Sequence, residues 1–404
     1  MEEKKLDINS IIGFVLIFGI LLFMMWQNQP TPEELKAQEA EKQAQIEANK
    51  KAEAKKAETE TKVTTTLDYS KPEDSTQVAA LQSKIGDFAY SATSSTFTED
   101  ELTIENEVLK LKFHTKGGHL SEVKLKQFVD FDSIPIHIVK NGNSVFNINF
   151  QTTDNRTLNT KDLYFQPTVT KSGDNQIVSM KLKTAENKYL EYNYVIKPNE
   201  YMVDFTIKSQ GLESAINTSN PINLDWTQKT YRHDQSISYE NRYTDIHYQA
   251  DGEEDYTGLR GGEDEIEDLT WVSFKQHFFN STLISDKAFK KVSLISENLV
   301  EDEKVDTVFT KQFAFKTPLA LSGANIDNNL KLFYGPTDPK ILKQYDGNLD
   351  EIVGYGWGIF GWINKYLLMP LFGFVSSFLP YGIAIIVMTV LIKLAMSFVQ
   401  YKQY

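Results

Sequence analysis

Sixteen uncharged residues in a row, Ile11 to Trp26, tie the start of this chain to a membrane before anything else about it is known. With Ile8, Asn9 and Ser10 added, the run reaches roughly 28 Å as a helix, about the thickness of a hydrocarbon core. A cleaved leader is the rival reading, but its apolar region is shorter and ends in small residues, and the flank here is Met24, Met25, Trp26, Gln27. The segment reads as an uncleaved anchor. Lys4 and Lys5 precede it and the next lysine is Lys36. The positive-inside rule therefore keeps residues 1–10 in the cytoplasm and exports the chain beyond the anchor, into the periplasm in a cell with two membranes.

The exported part carries the acidity. Lys and Arg total 42 against 55 Asp and Glu, a net charge of −13, and no basic cluster offsets it, which speaks against a nucleic-acid partner. Cysteine is absent, so disulfides, thiolate nucleophiles and cysteine metal sites are excluded. From Thr31 to Lys62 the chain is almost neutral, with eight acids and seven lysines, and opens on Thr31, Pro32, Glu33 and Glu34, a capping box with proline at the first helical position. It lacks an apolar seam at heptad spacing. Residues 27–96 read as a charged linker, first partly helical and then disordered.

From about Phe97 the pattern becomes alternation at period two. Val108 to Phe113, Leu120 to Leu125, Tyr189 to Ile196, Met202 to Ile207 and Val292 to Ile295 are separated by turn sequences such as Lys116-Gly117-Gly118. Many short strands of this kind predict a large all-β sandwich over 97–340. Its chemistry is bland. The histidines His114, His119, His137, His233, His247 and His277 form no pair at metal-ligand spacing on one helix. Arg232, His233 and Asp234 are adjacent, and strand neighbours point to opposite faces. The acidic stretch from Glu253 to Asp268 lacks calcium-loop spacing and reads as a solvated loop. No motif names an enzyme, a cofactor or a metal.

After Glu351 there is no acidic residue, and Lys365, Lys393 and Lys402 are the only charges. Residues 341–356 connect to this part. The aromatic-rich segment 357–379, with Trp357, Trp362 and Tyr366 as interfacial anchors and Pro370 in its middle, reads as an amphipathic helix lying at the water–lipid boundary, with a second span as the alternative. Residues 380–400 read as a transmembrane helix about 30 Å long, and 401–404 as the start of a cytoplasmic loop. Thr389, Lys393, Ser397 and Gln400 fall on one face of it. Either that face meets a wet groove or Lys393 snorkels to the cytoplasmic side.

The order of these parts, with the LFYGP segment ending at Pro336, GYGW at Gly354 to Trp357, and YGIAIIVMTVLIK ending at Lys393, resembles the YidC-type membrane protein insertase family of Gram-negative bacteria. The resemblance extends over nearly the whole chain. In the β region, Val108 to Gly118, Tyr189 to Gly211 and Trp271 to Phe279 are similar to family patterns. The family usually has an arginine at the position of Lys393 and a proline at that of Phe398. Lysine keeps the charge and loses the bidentate fork. The resemblance implies a β-supersandwich periplasmic domain on an inner-membrane, multi-pass protein that inserts and folds nascent membrane proteins, without catalysis or a cofactor. Its implied partners are the lipid bilayer and, through later segments, the secretion channel and ribosome. The groove residues it implies are Thr389, Lys393, Ser397 and Gln400. Family members have five core helices, of which this chain holds the first, so it reads as an N-terminal portion. A membrane-anchored carbohydrate-binding or mutarotase-like protein is the competing class, and predicts two histidines and a carboxylate converging in a sugar cleft.

Overall fold

Period-two burial organises the middle of the chain. Leu109, Leu111 and Phe113 point inward while the lysines between them face water, and Leu190, Tyr192, Tyr194 and Ile196 do the same in their strand. The computed structural model describes residues 75–93, 101–258, 262–356 and 358–401. The expected anchor at 11–26 and the charged helix after Thr31 lie outside these residues.

Between Glu101 and Pro336 the strands form three antiparallel sheets of ten, six and four strands. In the ten-stranded sheet, Leu269–Lys275, Phe279–Phe289, Asn325–Pro336, Met202–Gln210 and Lys188–Ile196 are successive neighbours, with Gln166–Ser172 at one edge and Glu253–Tyr256 at the other. The six-stranded sheet centres on Asn223–Tyr231 and Phe309–Pro318 and packs against the large one through aromatic rings. Trp226 stacks on Phe274 with ring centroids 4.1 Å apart, and Phe146 meets Phe205 edge-on at 5.4 Å. Phe113 brings the four-stranded sheet onto Tyr194 of the same inner face, at 4.9 Å. Polar tips of buried rings are satisfied: Tyr192 donates to Thr160 Oγ1 at 3.0 Å and Tyr194 to the carbonyl of Gly118 at 3.1 Å. Gly118 has φ +65°, and a Cβ there would stand 2.6 Å from the Phe165 ring, so this turn requires glycine. The all-β sandwich expected from alternation is the fold.

The disordered linker expected up to residue 96 is corrected at its end. Helix α1 (Ser75–Ile85), a 3₁₀ turn (Gly86–Phe88) and α2 (Ala89–Thr93) pack on the sandwich, burying Leu81, Ile85, Phe88, Ala89 and Ala92. These apolar residues recur at three- and four-residue spacing, so a helix buries them on one face despite the polar residues around them. Gln166 Nε2 and Lys183 N bond to Ser91, fixing α2 to the edge of the large sheet. The acidic stretch is corrected too: Glu253–Tyr256 and Gly262–Ile266 are strands, each at the edge of one large sheet.

Helix α3 (Ile237–Asn241) interrupts the strands, and α4 (Pro339–Leu342), capped by the Asp338 carboxylate, comes after the last of them. The chain then runs into α5 (Gly358–Ile363), α6 (Met369–Ser376) and α7 (Tyr381–Tyr401). Pro370 does not break its helix. Asn364–Leu368, just before it, is wound as a π turn, and the wider turn gives the proline ring room against the carbonyl one turn back. Gly358–Ser376 is in consequence one continuous helical stretch, long and apolar enough to cross a membrane, and Tyr381–Ser397 is a shorter apolar helix.

Candidate functional site

Helix α7 advances about 100° per residue, so Thr389, Lys393 and Ser397 climb it in a stripe that drifts slowly around the axis. The helix packs on α6 through Ala384 and Met388, which with Val375 form a small apolar seam of their own. Measured from the centre of that seam, Thr389, Lys393 and Ser397 point roughly 120°, 160° and 200° away. The stripe is turned outward, and all three residues are exposed. Thr389 Oγ1 donates to the carbonyl of Ile385 at 2.8 Å and Ser397 Oγ to that of Leu394 at 2.7 Å, so both hydroxyls keep only acceptor capacity for an external group. Lys393 has no ion pair among the described residues. Gln400 is helical, and its side chain lies outside what the structure describes.

At the base of the helical hairpin formed by Gly358–Ser376 and α7, a 420 Å³ cavity is lined by Tyr355, Asn364, Met369, Phe372, Met388 and Thr389, among others. It takes in Thr389 and leaves Lys393 and Ser397 out, so the structure does not gather the stripe into one pocket. Asn364, which the sequence did not single out, donates to the carbonyl of Tyr355 at 2.7 Å and ties the connector to the π turn. Gly361 is required there, since a Cβ would come within 2.2 Å of the Gly356 carbonyl. Among the anchors, Trp362 and Tyr366 are both 61% exposed with rings 5.9 Å apart, and Trp357 lies outside the described residues.

The end of the β domain nearest the hairpin holds a buried network missed by sequence reasoning. Glu240 on α3, 1% exposed, accepts from His233 N at 2.7 Å and Asp234 N at 3.0 Å, and from Gln276 Nε2 at 3.3 Å. Burial pushes its carboxyl up to about 7, outweighing the two backbone donors, and burial pushes His233 beside it down to about 4. His277 pairs instead with Asp234 at 2.7 Å, stacked against Tyr243 and Phe278. His233 and Asp234 lie just past the end of the strand Asn223–Tyr231, so the strand alternation expected for them does not apply; both backbone N–H groups turn to Glu240. Folded chains hold the Glu240 proton up to about pH 7 and unfolded ones only to the ordinary 4.5, so this group destabilises the fold progressively as pH rises between the two. His233 acts oppositely, adding stability from about pH 4 to 6.5. We predict that Glu240→Gln gains on the parent chain steadily from pH 4.5 to 7, by about 3 kcal/mol in all, and holds that gain above pH 7. Denaturation midpoints of the two proteins across this range check it, and a constant difference would refute it.

No group of three or more histidine or acidic side chains is placed to hold a metal among the described residues. The polar cleft over the large sheet, 690 Å³ and lined by Lys197, Asp204, Gln249, Asp286 and Lys331 among others, contains no histidine. The convergence a sugar site was expected to show is therefore missing from it.

Residues 101–370 match the family model described as YidC periplasmic domain. A protein of Parabacteroides distasonis named membrane protein insertase YidC is 33% identical over 99% of this chain, which spans 64% of that relative's length. Among solved structures, the periplasmic domain of Thermotoga maritima YidC is 14% identical with a TM-score of 0.35, covering 63% of this chain and 94% of its own. A galactose mutarotase-like protein from Lactobacillus casei is 13% identical with a TM-score of 0.36, covering 59% of this chain and all of its own. Scores this close do not separate the two classes. The sequence matches do, and they imply an inner-membrane protein with a periplasmic domain. With a periplasmic-domain model matched over most of its length and a named relative matched almost from end to end, the chain belongs to the YidC membrane protein insertase family.

Proposed function

We propose that this chain takes part in inserting and folding membrane proteins, and that the outward stripe of α7 forms one wall of the groove that receives them. The observation carrying this reading is the angle between stripe and seam: α7 packs on α6 through Ala384 and Met388, and the stripe leaves that contact at Thr389, on the rim of the cavity at its base, and carries Lys393 and Ser397 to the opposite side. A charge on that side attracts acidic segments of a nascent chain, while the hydroxyls hold water beside it. Gln400 extends the wall toward the cytoplasm. The work is non-covalent, so no catalytic residue and no cofactor take part. Residues 358–376 lie at the periplasmic boundary with Trp357, Trp362 and Tyr366 as anchors, and α7 spans the bilayer of a multi-pass protein.

Photoreactive side chains placed singly at 389, 393 and 397 in a complete protein of the relatives' length should cross-link to a ribosome-bound nascent membrane protein. The same group at Met388, buried in the seam against α6, should not. Equal yields at 388 and 393 would overturn the groove assignment.

A further inference from the structure

Turn tips are normally polar, because they face water and hold backbone groups that water must serve. Two hairpin tips at one end of this β domain expose large apolar side chains as well, the first of them beside Asp132 and Ser133. The turn closed by Asp130 N and the carbonyl of Ile134 exposes Phe131 and Ile134, and the one closed by Gln276 N and the carbonyl of Phe279 exposes Phe278. Phe278 is 54% exposed and Ile134 53%. The patch continues without a break: the Phe278 ring lies 3.9 Å from that of His277, which stacks on exposed Tyr243 at 4.7 Å, and Tyr239 lies 5.2 Å from Tyr243. Tyrosine and phenylalanine rings clustered in this way have the composition of a water–lipid boundary.

The surroundings of the patch say which partner it meets. Phe131 and Phe278 line a cavity of about 950 Å³ whose opposite wall is the hairpin, with Lys365, Phe372 and Tyr381. Lys340 lines it too, and neither Lys340 nor Lys365 has a carboxylate partner among the described residues. Asp130, Asp234 and Asp338 also line the cavity, but their carboxylates are engaged within the domain, by the backbone N–H groups of Asp132 and Ile134, by His277 and by Lys340 N respectively. The cavity thus joins an apolar surface on the β domain to the apolar hairpin, with two ammonium groups free of carboxylate partners at the join; that of Lys365 lies 5.8 Å from the Tyr355 ring. A phospholipid matches both features, with acyl chain and glycerol against the rings and phosphate against the lysines.

We propose that the two aromatic hairpin tips rest in the periplasmic leaflet, with a phospholipid occupying the cavity between them and the hairpin. This rests on the reading above that the hairpin is membrane-embedded. The absence of cysteine allows single nitroxide labels at Phe131→Cys, Phe278→Cys, Val169→Cys and Val390→Cys. Val169 is an exposed control on the far edge strand of the large sheet, about 24 Å or five strand spacings from the Phe279 strand. Val390 reports the middle of α7.

The full chain is reconstituted in nanodiscs of phosphatidylethanolamine and phosphatidylglycerol, and separately held in amphipol without lipid. The expected result is an oxygen-to-nickel-chelate collision ratio at positions 131 and 278 at least double that at 169 in nanodiscs, with the gain lost in amphipol. Equal ratios at 131, 278 and 169, with 390 buried in lipid, would overturn the proposal while leaving the embedded hairpin intact. A gain that persists in amphipol would also overturn it, because protein would then be covering the tips. An aqueous reading at 390 would refute the embedded hairpin first, and this proposal with it.

Discussion

Lys393→Leu in the complete protein should fail to support growth when the native copy is depleted, while Lys393→Arg should sustain it. Leucine removes a charge that costs roughly 2.5–3.5 kcal/mol near the centre of a spanning helix, so the variant should reach the membrane at least as well as the parent. Its failure would then be one of function, not of assembly. Arginine preserves the charge on the same outward face, and the site has no described partner whose geometry the larger fork would upset. A plain snorkeller predicts a different pattern: with no groove to serve, leucine would be neutral or beneficial. Growth on the leucine variant at equal abundance, measured by immunoblot of membranes, would refute a recruiting role for the charge.

Trp226→Ala should cost the β domain about 3–5 kcal/mol, the range for emptying a fully packed aromatic site. Trp226 is 1% exposed, stacks on Phe274 across the two large sheets, and donates Nε1 to Ser144 Oγ at 3.3 Å. Alanine would leave a void where the sheets meet and strip Ser144 of a partner in a site closed to water. Val169→Ala, on an exposed edge position, should stay within about 0.5 kcal/mol. Chemical denaturation followed by near-ultraviolet circular dichroism measures both. A loss under about 1 kcal/mol for Trp226→Ala would mean that the sheets collapse readily onto the smaller residue.

Strands were legible in the sequence because a sheet with one buried face writes its burial directly as alternation, as in Leu109 to Phe113 and Leu190 to Ile196. The short helices α1 and α2 were obscured because their apolar residues sit among serines, threonines and lysines typical of a linker, and only packing on the sandwich makes those residues core. Likewise the stripe on α7 came from spacing alone, but its angle to the seam depended on knowing that Ala384 and Met388 pack against α6. The Glu240 network was invisible for another reason. Its members come from 233–234, 240 and 276–277, joined only by sheet topology, and no local pattern marks a glutamate that will be buried.

The acidic strands at 253–256 and 262–266 have a consequence for how many copies of this protein can share a membrane. Each is the outermost strand of a large sheet, so each presents unpaired backbone donors and acceptors to its surroundings. Proteins anchored in a bilayer diffuse in two dimensions at a common height and meet side to side, the arrangement in which open edges zip together most readily. Here any two such edges approach with Glu253, Glu254 and Asp255 or Glu263, Asp264 and Glu265 facing their counterparts, and like charges directly opposite across a strand pair oppose its formation. Glu254 is held by His247 and Glu265 by Lys291, so the like-charge barrier rests mainly on Glu253, Asp255, Glu263 and Asp264, four carboxylates that set two open edges against pairing with their own copies.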